Sequence, residues 1–102
     1  MSARKRRLIL APEAKRDLRD ILLYTGRRWD TDQRSRYKAK LDHALRDLIQ
    51  FPARGPSRDD ISTGLRGLPV EAHVIFYRVD EQAITVVRIL HGAMDAADLL
   101  GD

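Results

Sequence analysis

At 102 residues the chain suits one domain, which at this size buries roughly 60 to 70 % of the surface its unfolded form exposes, and 1–102 is expected to fold as a single unit. With 43 % hydrophobic and 33 % charged residues, and no apolar run near the ~20 residues that span a bilayer, the composition argues for a soluble protein and against membrane insertion. The absence of cysteine excludes a disulfide framework and a thiolate metal site and makes the reducing cytoplasm the expected location.

The net charge of +4 is unevenly distributed. Residues 1–40 carry 13 Lys and Arg against 5 Asp and Glu, whereas residues 41–102 carry 6 against 10. Arginine outnumbers lysine 15 to 4. Guanidinium forks suit bidentate contacts with carboxylate or phosphate, so charge alone leaves nucleic acid and an acidic protein open as partners. The basic start, Met1 to Arg7, is followed by an apolar stretch too short for a signal peptide before Pro12.

Arg7-Leu8-Ile9-Leu10 reads as a short strand that Pro12 ends. Pro12-Glu13 then opens a helix, because proline is tolerated at the first helical position and a carboxylate suits the positive end of the helix dipole. Ala14, Leu18, Ile21, Leu22, Thr25 and Trp29 recur at helical spacing and give an apolar stripe from 13 to about 29. Asp30-Thr31-Asp32 offers capping side chains for a second helix. Its stripe is Tyr37, Leu41, Ala44, Leu45, Leu48 and Ile49, and Phe51-Pro52 stops it.

Two stripes joined by so short a break predict an antiparallel helical hairpin that buries its apolar face against another layer. Residues 52–62 read as a loop, and Thr63 to Arg66 as a short strand. Ala72 to Val79 and Ile84 to Leu90 are β-branched and aromatic runs separated by a polar turn near 80–83, an antiparallel pair. Asp95 can cap a last helical turn from Ala96 to Leu100. The fold class is therefore α+β.

Several chemistries lack their residues. The six glycines are scattered and build no phosphate loop, no serine sits in a nucleophile elbow, and His43, His73 and His91 lack zinc-site spacing. No metal and no cofactor are expected. The residues that remain are arginines and histidines of the strands. In a hairpin turning near 80–83, His73 lies opposite Leu90 or His91, with Arg88 one neighbour away and Arg66 and Tyr77 bordering the same surface. Such a group can stabilise phosphate charge and shuttle protons, as a metal-independent ribonuclease requires. Arg88 and His91 have opposite parity, however, and share a face only if the strand ends or bulges before His91. Solvent-face arginines paired with Asp80, Glu81 or Asp95 are the plain structural alternative.

The motifs also form an ordered set: Ala14, Asp17-Leu18, Ile21, Tyr24, Trp29, Gln33, Tyr37, Leu41, Leu48 and Pro52, then Gly64-Leu65-Arg66, His73 to Arg78, Val87 to His91 and Met94-Asp95. In order and spacing this set resembles the ParE branch of the ParE/RelE toxins of bacterial type II toxin-antitoxin modules. It departs from that pattern at Asp30, where glycine is frequent, and at Gly92-Ala93. The resemblance implies a small α+β toxin of the bacterial cytoplasm that binds and inhibits DNA gyrase. It also implies neutralisation by a ParD-like, ribbon-helix-helix antitoxin whose C-terminal segment wraps the toxin, so that DNA is met only through that complex.

The target-binding candidates are then Arg66, His73, Tyr77, Arg88, His91 and Met94, and the antitoxin-binding candidates are Leu22, Leu23, Tyr24, Leu45 and Ile49. The RelE branch implies a different activity, ribosome-dependent mRNA cleavage, for which Arg66, Arg88 and His91 would be the catalytic set. Here Arg54 and Arg58 occupy the 52–62 loop without a lysine, and no tyrosine follows Arg88, which favours the gyrase-binding branch. A third expectation is a member whose toxicity has decayed, leaving an antitoxin-binding or DNA-autoregulatory partner.

Overall fold

A computed structural model describes residues 6–28, 31–92 and 94–101. Strand β1 (Arg7–Leu10) leads into helix α1 (Pro12–Arg28) and helix α2 (Thr31–Gln50), followed by strands β2 (Arg66–Val70), β3 (His73–Val79) and β4 (Ala83–His91) and helix α3 (Ala96–Leu100). Trp29 and Asp30, expected to close the first stripe and cap the second helix, lie outside the described residues. The four strands form one sheet in the order β1-β4-β3-β2. β1 runs parallel to β4, and the other neighbours are antiparallel.

The helical hairpin covers one face of the sheet. Ala14 and Ile21 of α1, with Tyr37, Leu41, Leu45 and Leu48 of α2, pack on Ile75, Tyr77, Ile84, Val86 and Ile89. Both helices thus bury the stripes that their 3.6-residue periodicity sets out. On the opposite face Phe76 and Leu90 meet Ile61 and Leu65, with Val74, Val87, Ala96 and Leu100 packed around them. α3 belongs to this second, smaller core. Asp95 caps it by accepting from the Asp98 N–H at 3.2 Å, as its sequence position predicts.

The β3–β4 turn is built by Asp80, whose carboxylate accepts from the N–H groups of Gln82 at 2.7 Å and Ala83 at 2.8 Å. Six residues further the ladder slips. Phe76 pairs with Arg88 but Tyr77 with Val86, so Val87 is the extra residue of a β-bulge. Beyond the bulge His73 pairs directly with His91.

The third strand is displaced from its expected place: Thr63 to Arg66 is not a strand, and β2 begins only at Arg66. Residues 58–65 instead fold into a compact turn, in which the Gly64 N–H donates to Asp59 Oδ1 and Leu65 N–H to Ser62 O. Gly64 sits at φ +83°, a left-handed conformation that only glycine adopts without penalty. β2 then runs through Gly67 and Pro69, residues that disfavour a central strand but suit an edge. The Gly67 N–H donates outward to Pro56 O and Pro69 has no N–H, so this edge offers little to an incoming strand.

Candidate functional site

Sequence reasoning singles out eleven residues, and the fold divides them among three places. His73, His91 and Arg88 stand near the far end of the β3–β4 hairpin. Arg66 lies opposite Tyr77, four residues along β3 from His73, roughly 13 Å away at the usual rise per residue. The expected ribonuclease set of Arg66, Arg88 and His91 is therefore not gathered at one point.

Each arginine is also occupied. The Arg66 guanidinium donates to Gly55 O at 2.8 Å. Arg88 donates to Asp17 of α1 through Nε at 2.7 Å and Nη2 at 3.0 Å, a bidentate pair in which both side chains are largely covered. The bulge at Val87 falls before Arg88, so it does not bring Arg88 onto the face of His91; instead Arg88 meets α1 at the edge that β1 leaves uncovered beyond Val86. The paired carboxylate holds the guanidinium still more firmly protonated than an isolated arginine.

Tyr77 requires a correction. It is fully buried, its hydroxyl donating to Pro52 O at 2.7 Å and accepting from the Gly55 N–H at 2.9 Å, so it anchors the loop after α2 and presents nothing to a target. A Cβ at Gly55 would meet that hydroxyl at 2.7 Å, which is why the loop has glycine there. Leu45 likewise leaves the antitoxin-binding set. At 5 % exposure it is a member of the main core, because its place in the stripe of α2 faces the sheet. Leu22 and Ile49 are half-buried, and Leu23 is exposed at 49 %. The side chain of Tyr24 lies outside the described residues.

His91 is exposed at the strand end, and Met94 follows it in a turn closed by the Met94 N–H on His91 O at 2.9 Å. Met94 and the strand end at His91 border a shallow groove of about 280 Å³, rimmed by Arg58 and Asp60 and floored by Phe76 and Leu90. His73 is half-buried and contacts Tyr37 of α2. Burial holds its imidazole below the ordinary histidine range, and the neighbouring His91 adds to that effect.

Several participants lie outside the chosen candidate site residues, although Asp17, Gln33 and Tyr37 stand in the ordered motif set. Asp17 is the hub of the Arg88 contact. Gln33, Arg36, Tyr37 and Lys40 recur at helical spacing along α2 and, with Glu71 and Ala72, line a second groove of about 420 Å³. Phe51, taken only as a helix stop, is exposed with the Arg54 guanidinium 4.9 Å from its ring centre. Among the described residues no group of three His, Cys, Asp or Glu side chains is placed to hold a metal ion, and no helix is long and apolar enough to cross a membrane.

A small sheet under a helical hairpin thus ties Arg66 and Arg88 internally and leaves Leu23, Phe51 and Met94 exposed. Residues 8–96 match the family model of the ParE toxin of the type II toxin-antitoxin system, parDE. The chain belongs to the ParE toxin family. This ParE-family chain is 40 % identical over 90 residues to the toxin ParE1 of Mycobacterium tuberculosis, a match covering 87 % of the chain and 92 % of the relative. It is 40 % identical over 98 residues to a toxin ParE of Escherichia coli, with 92 % of both covered, and 33 % identical over 92 residues to the toxin ParE1 of Caulobacter vibrioides, with 90 % and 95 % covered. Among solved structures it shares its fold with a chain of the chromosomal ParDE TA system from P. aeruginosa, at a TM-score of 0.73 and 20 % identity, covering 85 % of this chain and 96 % of the other.

Proposed function

We propose that this ParE-family toxin arrests growth in the bacterial cytoplasm by binding DNA gyrase, and that a ParD-like ribbon-helix-helix antitoxin neutralises it. Residues 1–102 act as one unit, and contact with DNA comes only through the antitoxin complex. The observation that carries this reading is the match to the ParE family model over residues 8–96. The internal commitment of Arg88 to Asp17 supports it, since a nuclease would keep its charge-stabilising cation available to a phosphate.

The exposed and half-buried apolar residues of the helical hairpin, Leu22, Leu23 and Ile49, suit a helix or extended segment of the antitoxin that orders on binding. His91 and Met94, exposed at the end of β4, are the target-binding residues that remain accessible. Induced expression followed by parallel assays of gyrase supercoiling and ribosome-dependent mRNA cleavage tests the reading. Growth arrest with inhibited supercoiling and intact mRNA supports it. Cleaved mRNA that disappears in a folded His91→Gln variant establishes the ribonuclease instead.

A further inference from the structure

The polar link between α2 and the sheet on the helix-covered face is a column of three side chains. Tyr37 is 6 % exposed, and its hydroxyl lies 2.5 Å from His73 Nδ1 and 3.3 Å from Val70 O. His73 in turn faces His91 across the ladder, the two rings edge to face with centroids 5.4 Å apart. We propose that Tyr37, His73 and His91 form a pH-sensitive latch: proton uptake at His73 releases the first half of α2 from the end of the β3–β4 hairpin.

The charged groups around the column explain why a proton is poorly tolerated there. From α1 the nearest carboxylate is Asp17, but its oxygens already accept from Arg88 and from the Ile89 N–H. From the β2–β3 turn comes Glu71, which is paired with Lys40 of α2. A cationic His73 would thus be half-buried beside a second imidazole, with both nearby carboxylates already engaged. The cheapest relief is for His73 to turn towards water. That movement removes the imidazole from Tyr37 and leaves its hydroxyl with the longer bond to Val70 O, which weakens the tie of the α2 segment around residues 34–41 to the sheet.

The direction with pH follows from His73, whose folded-state affinity for a proton is lowered by burial first and by His91 second. Above the ordinary value of 6.5 both folded and unfolded chains carry neutral imidazole, and the latch contributes fully. As pH falls below 6.5 the unfolded chain takes up a proton that the folded chain resists, so stability drains until the folded value is reached.

Three measurements on the full chain test the latch. Histidine ring resonances followed by NMR from pH 8 to 5 should show His73 titrating below 6.5. Amide hydrogen exchange, corrected for intrinsic rates, should quicken selectively at 34–41 on going from pH 7.5 to 5.5, relative to 14–21 of α1. Melting temperatures over the same interval should fall in the parent and by clearly less in His73→Gln, which has no proton to take up. His73 titrating at or above 6.5 overturns the proposal. So does uniform loss of protection across both helices, or a melting-temperature loss in His73→Gln as large as in the parent.

Discussion

The Asp17 carboxylate accepts two hydrogen bonds from the Arg88 guanidinium and a third from the backbone N–H of Ile89, at 2.7, 3.0 and 3.0 Å. Two constraints meet at this one side chain. β1 pairs with β4 only as far as Val86, after which the Ala11 N–H makes a last bond to Val86 O and Pro12 turns the chain into α1. The rest of β4 is left with an open edge, a liability in any sheet. Asp17, one turn into α1, fills part of that edge and ties the helix to the strand at the same time.

Asp17→Ala should therefore cost at most about 3 to 5 kcal/mol of unfolding free energy, the range for removing one partner of a fully buried charge pair, since both side chains keep some exposure. Arg88→Ala should cost less, because the remaining carboxylate keeps the Ile89 N–H and gains access to water. The double variant should recover part of the sum, with a coupling of about 1 kcal/mol or more. Urea unfolding of the four proteins measures this. Additive losses would mean that the two side chains act independently.

Surface and core positions on the helical hairpin should respond in opposite ways. Leu23→Asp, at an exposed site, is expected to change stability by no more than about 0.5 kcal/mol yet to weaken antitoxin binding at least tenfold. Leu45→Ala should cost about 2 to 5 kcal/mol, because it empties a fully packed site. Its antitoxin affinity, measured on the fraction that remains folded, should stay near that of the parent. Titration calorimetry beside thermal melts separates the two effects.

The β2–β3 turn holds a strained residue. Glu71 has φ 55°, in the left-handed region that non-glycine residues occupy at a cost of about 1 to 3 kcal/mol. Its ion pair with Lys40, half exposed at both ends, returns little of that. Glu71→Gly is expected to raise stability by up to about 1 kcal/mol after the extra chain entropy of glycine is counted. Glu71→Ala, which keeps the strain and loses the ion pair, should not raise it. Chemical denaturation of both variants checks the sign.

The basic charge of residues 1–40 should set the speed of antitoxin capture more than its final strength. Rim charges mainly steer encounter, and at physiological salt they are screened beyond about 8 Å. Stopped-flow association rates should fall as sodium chloride rises from low to physiological concentration, with dissociation rates nearly constant. Salt-independent association would remove the steering role.

Tyr77→Phe probes what burial decided. The variant leaves the Gly55 N–H and Pro52 O without their common partner and is expected to cost about 1 to 3 kcal/mol, with the loop 52–55 becoming more susceptible to protease. A surface role for Tyr77 would instead leave melting unchanged and reduce toxicity.

Much of the architecture is local information, and the sequence by itself determined it. The stripe from Ala14 to Ile21, the stripe from Tyr37 to Leu48, proline at the start of α1, the Asp80 turn and the Asp95 cap all act within a few residues, so their patterns fix helices and hairpin directly. Tertiary structure decided what depends on distant partners. Arg88 looks like a free cation until the fold brings Asp17, 71 positions earlier in the chain, to it, and Tyr77 looks like a surface aromatic until the loop after α2 closes over its hydroxyl. The bulge at Val87 and the start of β2 at Arg66 are likewise settled by pairing, because register is a property of two strands and one extra residue reverses every side chain beyond it.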